Sequence, residues 1–182
     1  VAYARGTGKD RLLGTACRLA DCIHRVFGWE EDKLHGCPGH QEIELGLLKL
    51  YDWTGEDRYL KLASYFLEIR GTNSYFEEEF ERRGRISHWT QGPVEEPNRH
   101  YNQYPYSYYN QFHAPVRCQT EAVGHAVRAV YMYTAMAKAA VLCKDEELLR
   151  TCKSLWKNIA ETQMYITGNI GSTPSGEAFT RA

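Results

Sequence analysis

One carboxylate and two histidines carry most of the chemical promise of this 182-residue chain. The run Gly168-Asn169-Ile170-Gly171-Ser172-Thr173-Pro174-Ser175-Gly176-Glu177-Ala178-Phe179-Thr180 presents Glu177 in a glycine-rich loop after a long helical region. Its glycines allow backbone turns and close approach to a ligand. Ala178 and Phe179 supply apolar surface that is expected to desolvate the carboxyl, which is how a general acid is prepared at neutral pH. The alternative is a solvated glutamate on a surface turn. Two Gly-His pairs, Gly39-His40 and Gly124-His125, stand where inner helices are expected to begin. If those helix starts line one mouth, His40, His125 and Glu177 converge on a single pocket. The competing reading is a pair of satisfied core or surface histidines. No H-x-x-x-H, H-E-x-x-H or cysteine tetrad occurs, so no residue of this chain is assigned to a metal.

The elements that must position these side chains are helical. Thr7-Gly8-Lys9-Asp10-Arg11-Leu12-Leu13 and Thr54-Gly55-Glu56-Asp57-Arg58-Tyr59-Leu60 share T-G-x-D-R-x-L at an offset of 47 residues, and Lys144-Asp145-Glu146-Glu147-Leu148-Leu149 is a weaker third copy. In each, Thr or Asp is placed to cap a helix that follows. Tyr59, Leu62, Ala63 and Phe66 then keep the spacing of an amphipathic outer helix. Between these turns, residues 39–52 and about 119–142 are apolar around most of their circumference and read as inner helices. Alternating inner and outer helices describe an all-α protein built of helix hairpins, either an open solenoid or a closed (α/α) barrel. Extended pieces are expected only near 86–117.

A net charge of −1 lacks the basic surplus of a nucleic-acid-binding surface, and no apolar run reaches membrane-spanning length. Neither nucleic acid nor a membrane is therefore an expected partner. The six cysteines (17, 22, 37, 118, 143 and 152) are scattered. Most lie in helical patterns where a thiol packs as a small hydrophobe, and Cys118 looks least buried. Reduced, structural thiols suit a cytoplasmic location. The chain opens on Val1, and Val1-Ala2-Tyr3-Ala4-Arg5 reads as the end of a helix, so a fragment of a longer protein is expected. Residues 84–117 form one long irregular stretch in which Trp89, Tyr101, Tyr104, Tyr106, Tyr108, Tyr109 and Phe112 alternate with His, Asn and Gln. This reads as an aromatic wall beside a sugar site, or as an insertion or tyrosine-rich contact in a homo-oligomer.

Four segments in order make the reading specific: Pro38-Gly39-His40-Gln41-Glu42-Ile43-Glu44-Leu45, Tyr109 to Arg117, Thr120 to Ala129, and Gly176-Glu177-Ala178-Phe179-Thr180. Together they resemble glycoside hydrolase family 127, the β-L-arabinofuranosidases, over essentially the whole chain. The resemblance implies an (α/α)6-barrel catalytic domain, of which residues 1–182 are a part, that hydrolyses L-arabinofuranose-containing oligosaccharides or glycopeptides with retention. It implies Glu177 as acid/base and His40 and His125 as ligands of furanose hydroxyls. It further implies a zinc ion in the full-length protein and a cysteine nucleophile beside it, on residues beyond Ala182. The long aromatic stretch and Cys118 depart from the family pattern. The rival readings are a sugar epimerase or isomerase using His40 and His125 as proton carriers, and a non-enzymatic helical-repeat binding module.

Overall fold

The structure, a computed structural model, describes residues 1–86, 106–173 and 176–180. Helices α1 (Ala2–Thr7), α2 (Arg11–Val26), α3 (Ile43–Thr54), α4 (Asp57–Ile69), α5 (Tyr75–Arg82), α6 (Tyr106–Tyr109), α7 (Ala126–Cys143) and α8 (Glu146–Thr162) follow in order, with a 3-10 turn at Val116–Cys118. No strand occurs among the described residues; Phe27–Leu34 and His125–Ala178 form isolated β-bridges. The described residues are helical, as the periodicity predicts, and most of the stretch near 86–117 where extended pieces are expected lies outside them. Three hairpins, α1–α2, α3–α4 and α7–α8, lie side by side through α3 against α7 and α2 against α4.

The repeated Thr-Gly signal works differently from the sequence expectation. Thr54 ends α3: its hydroxyl donates to the Leu50 carbonyl (2.8 Å) and accepts the Glu56 N–H (3.2 Å), and Gly55 takes the left-handed conformation at φ 71°. Thr7 and Gly8 terminate α1 with the same bonds. The motif therefore closes one helix rather than capping the next, because a left-handed glycine satisfies the last carbonyls. Only in the third copy does an N-cap form, where the Asp145 carboxylate accepts the Leu148 N–H at 2.9 Å. Arg58 ties α4 to α2 through Asp21 at 2.7 Å.

The inner helices also start later than their apolar runs suggest, at Ile43 and Ala126. Helix α4, amphipathic by pattern, buries Tyr59, Leu62, Ala63, Tyr65, Phe66, Leu67 and Ile69, more of its circumference than α3 does. It is enclosed by α3, α2 and α7. Helix α7, contrary to the sequence expectation, is long and apolar enough to cross a membrane, with mean hydropathy 1.2. Its Ala129, Met132, Ala135, Met136 and Ala139 are buried where it packs on α3, α4 and α8, so its hydrophobicity serves the core.

Trp89, Tyr101 and Tyr104 lie outside the described residues. Of the remaining aromatics, Phe112 and Tyr109 are interior, contrary to a sugar-facing wall. Phe112 stacks on Phe76 of α5 (4.5 Å) and meets the edge of Tyr106 (5.4 Å), burying a cluster that a flat surface wall would leave wet. The cysteines are free. Cys37 is buried, but Cys22 and Cys143 are as exposed as Cys118, because each falls on the outward face of its helix.

Candidate active site

The two histidines and the glutamate come together by different local means. His125 is the N-cap of α7: its Nδ1 accepts the Arg128 N–H at 3.4 Å. With Nδ1 an acceptor, the ring proton sits on Nε2, which donates to Glu177 Oε2 at 3.1 Å. His40 lies in a bend before α3 and does not open the helix, because Gln41 is drawn into the interior. The His40 ring is 6.5 Å from that of His125 and 5.9 Å from that of Tyr131, both edge-on.

Glu177 is held by its backbone. Its carbonyl accepts the Ala126 N–H at 2.9 Å, and Phe179 N–H donates to the Gly124 carbonyl at 2.9 Å. Its φ of 45° is a left-handed conformation that costs a non-glycine residue about 1–2 kcal/mol. The neighbours Ala178 and Phe179 are buried, with Phe179 packed among Ala122, Ala126, Ala129 and Ile159. The Glu177 side chain itself remains 70% exposed. The expected desolvation by Ala178 and Phe179 is thus not seen: they anchor the loop beneath the carboxyl rather than covering it. Tyr165, Ser172 and Thr180 close the base of the loop with mutual hydroxyl contacts of 2.6–3.1 Å. Glu177 lies on an open cleft of about 610 Å³ walled by Leu45, Val130, Tyr131 and Ile170.

Sequence reasoning assigned no role to the polar residues behind the histidines. Gln41 is fully buried and donates to the Asn110 carbonyl (2.8 Å) and Gln111 Oε1 (2.6 Å). Gln111 in turn donates to the carbonyls of Tyr109, Val123 and His125 at 2.9, 2.8 and 3.3 Å. Arg70, also buried, donates to the carbonyls of Asn110 (3.1 Å) and Pro38 and lies 3.9 Å from the buried Glu44 carboxylate. Arg128 reaches back to Asn110 Oδ1 and the Gly39 carbonyl (3.3 Å), its guanidinium 5.2 Å from the Tyr109 ring centre. The signal available in the sequence was polar side chains inside otherwise apolar segments; buried groups of this kind must be paired.

Burial is the main force pushing both His125 and His40 below the ordinary histidine range. Arg128 adds to it in each case, opposed by Glu177 at His125 and by Glu42 at His40. Among the described residues, no group of three or more His, Cys, Asp or Glu side chains could hold a metal. The thiols of Cys37 and Cys152 are pushed up to about 11 by burial, the wrong direction for thiolate ligands. The described residues therefore do not fit a zinc–thiolate centre.

The whole chain, residues 1–182, matches the model of the β-L-arabinofuranosidase GH127 catalytic domain. It is 41% identical over 181 residues to a non-reducing end β-L-arabinofuranosidase of Bifidobacterium longum subsp. longum, covering 99% of this chain and 26% of that protein. A crystal structure of a GH127 β-L-arabinofuranosidase from Geobacillus stearothermophilus T6 superposes with a TM-score of 0.88 at 50% identity, over 99% of this chain and 27% of that one. A GH127 β-arabinofuranosidase structure gives 0.78 at 37% identity, over 99% and 24%. The chain spans about a quarter of the length of these relatives. On the match along its full length, the chain belongs to the GH127 β-L-arabinofuranosidase catalytic-domain family.

Proposed function

We propose that the chain forms part of a retaining glycoside hydrolase that releases non-reducing-end β-L-arabinofuranose from oligosaccharides or glycopeptides, with Glu177 as general acid/base. The observation that carries this is the 3.1 Å contact between His125 Nε2 and Glu177 Oε2, with the His40 ring 6.5 Å from that of His125; Glu177 itself lines the cleft, and the two histidines stand behind it. In the first step the Glu177 carboxyl gives its proton to the glycosidic oxygen as the bond to the anomeric carbon breaks. In the second, its carboxylate takes a proton from the water that displaces the enzyme nucleophile. His40 offers a ring N–H and a lone pair to furanose hydroxyls, whereas His125, with both nitrogens engaged, reaches a hydroxyl only by sharing its Nε2–H between Glu177 and the sugar. The hairpins described here would be half of an (α/α)6 barrel. The zinc and cysteine nucleophile of this reading would be supplied by other residues of the whole protein, since no group among the described residues fits them. An epimerase using both histidines is less well served, because His125 has one nitrogen engaged by the α7 cap and the other by Glu177.

Glu177→Gln in the full-length enzyme is the test. Activity on an unactivated arabinoside should fall by roughly two to four orders of magnitude. An aryl substrate with an acidic leaving group needs no protonation, so its first step should be nearly spared and glycosyl-enzyme should accumulate. Equal losses on both substrates, with nothing trapped, would make Glu177 a sugar ligand and not a proton donor.

A further inference from the structure

Resting on the reading of Glu177 as acid/base, we infer that Arg128 is a positioning residue that holds His125 uncharged with its Nε2–H aimed at Glu177. Three features of the geometry carry this. The Arg128 backbone N–H donates to His125 Nδ1, so a proton on Nδ1 would set two donors against each other and undo the α7 cap. The ring lies at the N-terminus of an 18-residue helix, where the macrodipole opposes positive charge. The Arg128 guanidinium is fixed close by, between Asn110 Oδ1, the Gly39 carbonyl and the face of Tyr109.

The groups facing His125 are few. They are Arg128 from α7, Tyr109 from α6 (rings 5.5 Å apart), His40 from the bend before α3, and Glu177 from its own loop. Glu42 and Arg70 act one step further out, on His40. Burial of the ring is the largest force against an imidazolium, and Arg128 and His40 add to it, while Glu177 and a backbone hydrogen bond at His125 itself favour the charged form. The balance matters because a pair holding one proton can place it in two ways. A neutral histidine beside a protonated glutamate is competent to protonate a leaving group. An imidazolium beside a carboxylate holds the same number of protons and is not. Changing pH cannot convert one into the other, whereas a fixed neighbouring cation can.

Arg128→Gln and Arg128→Lys in the full-length enzyme test this, with pH profiles of kcat/KM on a poor and a good leaving group. Loss of the cation lets the ring keep its proton in both the doubly and the singly protonated pair. Both limbs of the Arg128→Gln profile should therefore move to higher pH by about one unit. Activity at the optimum should fall roughly tenfold on the poor leaving group and much less on the good one. Arg128→Lys keeps the charge and should restore the limb positions even if kcat stays reduced. Limbs unmoved in Arg128→Gln, with equal losses on both substrates, would reduce Arg128 to a structural brace. The state of His125 is read independently in wild-type enzyme labelled with 13Cε1-histidine, its resonance assigned by loss in His125→Asn. The ring should stay neutral below the ordinary histidine range, and titration at or above that range would overturn the inference even if Arg128→Gln failed to fold. If Glu177 proved not to be the acid/base, the same titration repeated in Arg128→Gln, where the ring should protonate at higher pH than in wild type, would still report the effect of Arg128, so the two failures are separable.

Discussion

Replacing Gly124 with alanine sets a Cβ 2.2 Å from the Tyr108 carbonyl oxygen, 2.7 Å from Tyr109 Cα and 2.8 Å from the Tyr108 carbonyl carbon. All three are backbone atoms, so no rotamer change relieves the contact. The position also has φ 71°, a left-handed conformation costing a residue with a Cβ about 1–2 kcal/mol. Forcing an extra methyl into close-packed backbone adds roughly 1–3 kcal/mol, giving a total of about 2–5 kcal/mol. The displaced segment matters to the site, because His125 N–H donates to the Tyr109 carbonyl at 3.2 Å and the Gly124 carbonyl accepts from Phe179 at 2.9 Å. Gly124→Ala should therefore loosen the His125 and Glu177 attachments together. Gly39→Ala is the control: a Cβ there meets nothing within 4 Å and the backbone is not left-handed, so the change should stay within about 0.5 kcal/mol. Calorimetry of the full-length enzyme should show a lowered midpoint for the domain containing Gly124→Ala, by less per kcal/mol than the roughly 2–4 °C of a 150–250-residue domain because the whole domain is larger. The kcat/KM on an aryl arabinofuranoside should fall with it, while Gly39→Ala matches wild type in both. Equal effects of the two substitutions would refute the argument that backbone crowding distinguishes the two glycines.

Two further outcomes follow from the buried and bridging charges. Arg70→Met should destabilise by about 3–5 kcal/mol, since it takes donors from the buried Pro38 and Asn110 carbonyls and removes the cation that opposes the upward push of burial on the Glu44 carboxyl. Adding Glu44→Met should recover much of the loss in urea unfolding, and a single-mutant cost under about 1 kcal/mol would refute the pairing. The Arg117 hydrogen bond is the largest influence on Asp145, holding its carboxyl at about 2, below its usual 3.8. A depressed carboxyl stabilises the fold fully above the unfolded value and loses that contribution as pH falls through the folded one. Stability measured by urea unfolding should thus decline between about pH 4 and 2, and Arg117→Gln should flatten that part of the curve. An unchanged acid limb in Arg117→Gln would show that the pair contributes nothing.

The helical class, the hairpin repeat and the family motifs are legible in the chain alone. Each depends on residues a few positions apart: the spacing of Tyr59, Leu62, Ala63 and Phe66, and the Thr-Gly steps at 7 and 54. By local pattern those steps look like helix starts, yet they end helices, because Thr serves either end and only the left-handed Gly55 and its hydrogen bonds decide. The three residues of the candidate site could be named from type and loop setting. Their meeting could not, since the His125–Glu177 contact and the Gln41–Asn110 bond join segments remote in sequence, brought together only when α3, α7 and the last loop pack. The tertiary structure also decided matters on which local pattern is silent. Gly39-His40 and Gly124-His125 look alike as dipeptides, yet one glycine stands in open space and the other against backbone. Phe112 and Tyr109, polar-flanked and irregular in sequence, turn inward because Phe76 and Arg128 are there to meet them. Periodicity encodes which face of a helix is apolar; what that face touches, and which polar groups must then find partners, is settled by long-range packing alone.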